Sequence, residues 1–146
     1  MKIVVDIDIK APVENVYKIF SDIKNAEKNI KNIQKIEILK STKDFVGTRW
    51  KETRTEFGKS DTIEMWVSDA KSNKFYEVES EAHGTKYLSR YDFESTKQST
   101  KVTLTFEGQP QTLGAKLMSV MMVFFAGATK KLFLKDMLDL KKILEN

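Results

Sequence analysis

Phe75-Tyr76-Glu77-Val78-Glu79-Ser80-Glu81-Ala82-His83-Gly84-Thr85-Lys86-Tyr87-Leu88-Ser89-Arg90-Tyr91 is the stretch that decides the fold. Two alternating runs flank His83-Gly84, a pair suited to a tight two-residue turn, because histidine tolerates positive φ and glycine adopts it freely. Folding the chain back on that turn sets Tyr76 opposite Tyr91, Glu77 opposite Arg90 and Glu81 opposite Lys86. Opposed residues of an antiparallel pair share a face. One face is then mostly apolar and the other carries opposite charges, so the register supports itself. His83 reads as a turn residue, remote from any cavity.

The same reading extends in both directions. Turns at Gly58-Lys59, Lys71-Ser72 and Lys97-Gln98 pair Trp50 with Val67, Val67 with Tyr76, and Tyr91 with Leu104. The neighbouring row holds Glu52, Met65, Val78, Ser89 and Phe106, while Glu94 faces Lys101 outside. Gly58-Lys59-Ser60 looks like the end of a phosphate loop, but Thr53 stands where the earlier glycine belongs and no helix follows.

Upstream, Ile3, Val5, Ile7 and Ile9 alternate as a strand. Ala11-Pro12-Val13-Glu14 then opens a helix, with Val16, Tyr17 and Phe20 at helical spacing. A second short helix puts Ile23, Ala26 and Ile30 on one side. After Pro110 a long helix runs roughly from Leu113 to Leu144, apolar nearly all round at first and amphipathic later through Phe133, Met137, Leu140 and Leu144. An all-round apolar helix is expected to be buried on most sides. Its methionines, Met118, Met121, Met122 and Met137, suit an adaptable wall or an ordinary core.

Composition bounds the chemistry. The 146 residues make one domain, 1–146, and 25 basic against 21 acidic side chains leave a net charge of +4, too small to imply nucleic acid. There is no cysteine and a single histidine, which excludes disulfides, thiolate metal sites and paired-histidine sites. No metal or cofactor is expected. The apolar run at residues 117–128 is shorter than the roughly 17–25 residues a spanning helix needs, so no integral membrane association is expected and the cytoplasm is the default location. Six lysines between residues 24 and 43 form either a solvated face or a patch for anionic lipid or an acidic ligand.

Strand, two short helices, six-strand meander and long C-terminal helix together resemble the helix-grip fold of the START-like, or SRPBCC, superfamily. The resemblance rests on the opening strand into Ala11-Pro12-Val13-Glu14-Asn15-Val16-Tyr17, on Val46-Gly47-Thr48-Arg49-Trp50-Lys51-Glu52-Thr53-Arg54, and on Thr100-Lys101-Val102-Thr103-Leu104-Thr105-Phe106. It is nearest to the polyketide cyclase/dehydrase and lipid-transport branch. It implies an α+β fold in which a curved antiparallel seven-strand sheet (β-α-α-β6-α) wraps the long helix. It also implies a cavity between them for a hydrophobic small molecule. The second short helix, Asn25-Ala26-Glu27-Lys28-Asn29-Ile30-Lys31-Asn32, lacks the aromatic or proline-rich segment of many members.

The candidate walls are Trp50, Met65, Tyr76 and Tyr91 on the sheet and Leu117, Met121, Phe124 and Phe125 on the helix, some of them solid core. Glu52 and Arg54 stand on the inner face beside Tyr87 and Ser89, where a bare charge is costly. They serve either as a structural pair at the sheet's mouth or as a polar grip. In the second case Arg54 and Tyr87 would hold a ligand carboxylate or carbonyl, Glu52 would orient Arg54 or act as a base, and Arg54→Leu would spare the fold. The functions in view are carriage of a hydrophobic molecule, a cyclase/dehydrase enzyme using Glu52, Arg54 and Tyr87, or a homodimer joined through the apolar part of the long helix. A monomer suits the first two.

Overall fold

In the computed structural model, which describes residues 1–56 and 58–146, one antiparallel sheet of seven strands faces one long helix. The elements run β1 (Lys2–Ile9), α1 (Val13–Phe20), a single 3-10 turn (Ile23–Asn25), α2 (Ala26–Asn29), β2 (Ile33–Lys40), β3 (Arg49–Glu56), β4 (Lys59–Lys71), β5 (Phe75–Ala82), β6 (Thr85–Thr96), β7 (Ser99–Pro110) and α3 (Leu113–Leu144). The sheet order β1-β7-β6-β5-β4-β3-β2 is a meander that β1 closes on one side.

Alternation in β1 becomes burial in space. Ile3, Val5, Ile7 and Ile9 all turn inward against Phe106, Leu104, Val102 and Thr100 of β7. Val16, Tyr17 and Phe20 of α1 pack on them, and Tyr17 and Phe20 meet Phe93 edge-on with ring centres 5.1 and 5.6 Å away. Such aromatic pairs add about 0.5–1.5 kcal/mol each beyond their area.

The β5–β6–β7 register is as expected: Tyr76 opposes Tyr91, Tyr91 opposes Leu104, and Glu77–Arg90, Glu81–Lys86 and Glu94–Lys101 face one another on the outside. Arg90 holds both Glu77, at 2.9 Å, and Asp92, at 3.1 Å, while lying over the Phe75 ring. His83 and Gly84 both adopt positive φ, at 52° and 74°. Gly84 is also required by proximity, since a Cβ there would fall 2.7 Å from the Thr112 hydroxyl that caps α3 at Ala115.

Two registers differ from expectation. Glu56 pairs with Lys59, so the β3–β4 turn closes one residue earlier than Gly58-Lys59 and Trp50 opposes Met65 rather than Val67. Between β4 and β5 the loop is Ser72-Asn73-Lys74, not Lys71-Ser72, because Asn73 takes the left-handed conformation at φ 64°. The odd residue is absorbed by a bulge at Ser68, so Val67 opposes Val78 while Ala70 opposes Tyr76. Ser80 and Tyr87 consequently share the row of Trp50, and Arg54 faces Asp61.

The larger correction concerns α3. Its C-terminal half is amphipathic and docked, with Met137 and Leu140 buried. Its N-terminal half is not buried as expected: Leu113, Leu117, Met118, Val120, Met121, Val123, Phe124 and Phe125 are all exposed, Phe124 to 85%. The helix is long and apolar enough to cross a membrane by length and composition, with none of its most apolar window buried. The run at residues 117–128 therefore understates the apolar length.

Candidate functional site

Between the inner face of the sheet, α2 and α3 lies a cavity of about 450 Å³. Its floor is Trp50, Met65, Tyr76, Val78, Ser80, Tyr87, Ser89, Tyr91 and Phe106, every second residue of strands β3 to β7. Ile23, Ala26 and Ile30 close one side, as their shared face suggested. From α3 come Met122, Thr129, Leu132, Phe133, Asp136, Met137 and Leu140. Continuing the Phe133–Leu140 stripe backward at about 100° per residue reaches Thr129 and Met122. Leu117, Met121 and Phe124 fall on the far side of the helix and Phe125 on its flank, so these four expected wall residues lie outside the cavity.

The inner face also carries a compact charge cluster. Arg54 donates through Nε to Glu52 Oε1 at 2.6 Å and through Nη1 to Asp136 Oδ2 at 2.7 Å. Trp50 donates its indole N–H to the other Glu52 oxygen at 3.2 Å. Residues 50, 52 and 54 alternate along β3 and so reach one face together, while Asp136 arrives from α3 across the cavity. The expected Glu52–Arg54 pair is present, and Arg54 is also bonded to a second of the chain's own carboxylates, Asp136.

Burial pushes the Asp136 carboxyl up to about 6, with the charges of Glu52 and Glu56 adding to the effect and Arg54 opposing it through charge and hydrogen bond. Arg54 is held firmly cationic, because its two anionic partners outweigh the cost of its burial. The two directions have different causes: the guanidinium sees two opposite charges, whereas burial is the largest influence on Asp136 and the single Arg54 opposes it without cancelling it. The second Asp136 oxygen, Oδ1, is buried with no hydrogen-bond partner among the described residues.

The tyrosines divide by role. Tyr76 donates its hydroxyl to the Phe20 carbonyl at 3.0 Å and is structural at that end. Tyr91 stacks on Tyr76 with ring centres 4.8 Å apart. Burial, then the negative charge of Asp136 and Glu52, raises its phenol above the usual range, with Arg54 opposing. Tyr87 stacks on Phe106 at 5.5 Å. His83 is a turn residue but not remote: its Nε2 lies 2.9 Å from an Asp61 carboxylate oxygen, and both residues line the cavity wall.

Asp136 is the site residue that sequence reading missed. It sits between Phe133 and Met137 on the stripe that runs to Leu140, and a carboxylate inside an apolar helical stripe is the signal that marks it.

The sequence pattern described as polyketide cyclase/dehydrase and lipid transport matches residues 1–145. The chain belongs to that family. A search of curated proteins finds no match. Among solved structures, this family member superposes on an aromatase/cyclase from a Streptomyces species with a TM-score of 0.79 at 12% identity, covering 99% of this chain and 93% of that one. It superposes on a START superfamily protein from Mycobacterium smegmatis with a TM-score of 0.76 at 17% identity, covering 99% and 97%. A Thermus thermophilus protein gives 0.74 at 17% identity, covering 96% and 97%. At such identities these likenesses establish the helix-grip fold of the polyketide cyclase/dehydrase family member and nothing finer.

Proposed function

We propose that the chain binds and carries a hydrophobic small molecule in the cavity between sheet and α3. The observation that carries this reading is the wall itself: a mainly apolar and aromatic lining around about 450 Å³, with its charged groups gathered along residues 52–61, at His83 and at Asp136. Trp50, Met65, Tyr91 and Phe106 supply apolar area, while Tyr87, Ser89 and the Arg54 cluster supply orientation. Ser89 sits mid-floor between Val78 and Phe106. Ser89→Trp should fill the space and lower affinity for a neutral dye such as Nile red at least about tenfold with the fold retained, read by fluorescence titration and circular dichroism. Unchanged dye affinity in a folded variant would overturn the reading.

Two observations favour other readings. A carboxyl raised to about 6 can exchange a proton near neutral pH, so in a cyclase/dehydrase-type enzyme Asp136 would join Glu52, Arg54 and Tyr87 as the general acid–base group. The exposed apolar half of α3 suits a homodimer joined through Leu117, Met121 and Phe124. Light scattering should then give twice the chain mass, and Phe124→Glu should return the monomer with its thermal midpoint nearly unchanged. A strict monomer at high concentration argues against it.

A further inference from the structure

The charges on the cavity wall are unequal in a way that bears on what the cavity accepts. Among the described residues, Glu52, Glu56, Asp61 and Asp136 line it against Arg54 and Lys59, with His83 engaged to Asp61. The donors at the inner end are committed as well. The Trp50 N–H goes to Glu52, two Arg54 nitrogens go to Glu52 and Asp136, and the Tyr76 hydroxyl goes to a backbone carbonyl. The fully buried side-chain atom left without a partner at this end, among the described residues, is an acceptor, Asp136 Oδ1, beside the Tyr91 phenol. Asp61, Lys59 and His83 lie at the exposed rim, so the excess that counts is the buried one: two carboxylates, Glu52 and Asp136, against the single Arg54. Burial of an acceptor without a donor is costly, and a buried negative excess penalises an anion far more than water does.

Resting on the carriage reading above, we propose that the cavity takes an apolar molecule whose polar head donates hydrogen bonds without negative charge, a protonated amine best of all, and rejects the matching carboxylate. The head is placed at Asp136, beside the Glu52–Arg54 pair. The hydrocarbon lies along Trp50, Tyr91, Phe106 and Phe133, whose ring faces also attract a cation. Arg54 does not invert this preference, because its charge is already shared between two carboxylates.

The test uses three probes with one ring skeleton: 2-naphthylmethylamine, 2-naphthylmethanol and 2-naphthoate, titrated calorimetrically into the full chain at pH 7.5. The expected order is amine, alcohol, acid, with the amine at least about tenfold tighter than the acid. Asp136→Asn should shrink the amine-to-acid affinity ratio at least about fivefold, because it removes the negative charge that favours the ammonium over the carboxylate. Equal binding of the three probes, or the acid binding tightest, overturns the proposal while leaving hydrophobic carriage intact. Failure of all three to bind overturns carriage and, with it, this proposal. Because the decisive comparison is made on the unaltered chain, it does not depend on the variant folding.

Discussion

Arg54→Leu is expected to lower the free energy of unfolding by about 3 kcal/mol, because it strands two carboxylates that share one guanidinium inside the fold. Glu52 and Asp136 are only 9% and 13% exposed at the side chain, and both hydrogen bonds to Arg54 are shorter than 2.8 Å. Adding Glu52→Leu and Asp136→Leu to the same variant should recover at least half of the loss, since a buried ion cluster replaced by apolar groups is often neutral or stabilising. Urea unfolding of the parent, the single and the triple variant separates these effects. A single variant within about 0.5 kcal/mol of the parent would mean that the cluster is not structural, and would favour the alternative in which Arg54 serves as a polar grip for a ligand.

The second large effect is on pH. Asp136 is raised from its ordinary 3.8 to about 6, so between those values the native state holds a proton that the unfolded chain has released. Its contribution to stability is therefore fully present below about pH 4 and is lost as pH rises through 6. At about 1.4 kcal/mol for each pH unit between the two values, that contribution is at most about 3 kcal/mol. The groups around it are Arg54 and Glu52 from β3, together with Glu56 at the end of that strand and the Tyr91 phenol from β6. Asp136→Asn removes the titrating group but keeps the shape. Plotted against pH, the unfolding free energy of Asp136→Asn minus that of the parent should rise between pH 4 and 7.5. A flat difference would place the raised carboxyl elsewhere.

How much of this was legible in the sequence depended on whether the controlling force was local. Tight turns with one strong conformational demand read directly: His83-Gly84 set the β5–β6 register, and the outer pairs Glu77–Arg90 and Glu81–Lys86 came with it. The β4–β5 hairpin did not read directly. Its three-residue loop at Asn73 and its bulge at Ser68 compensate each other, so alternation before and after still looks regular. Glu52 and Arg54 were visible as inward charges on a strand, but their third partner lay far along the chain in α3.

The sequence by itself determined the order of elements, the helix-grip architecture and which faces of the strands turn inward, because period-two and period-3.6 patterns bind local residues to faces. Only the tertiary structure decided which side of α3 meets the cavity and that its first half stands exposed. An all-round apolar helix carries no phase of its own, so the packing of its amphipathic second half had to set the rotation. The same packing brought Asp136 to Arg54 and turned a pair of charges into a cluster with one negative charge to spare.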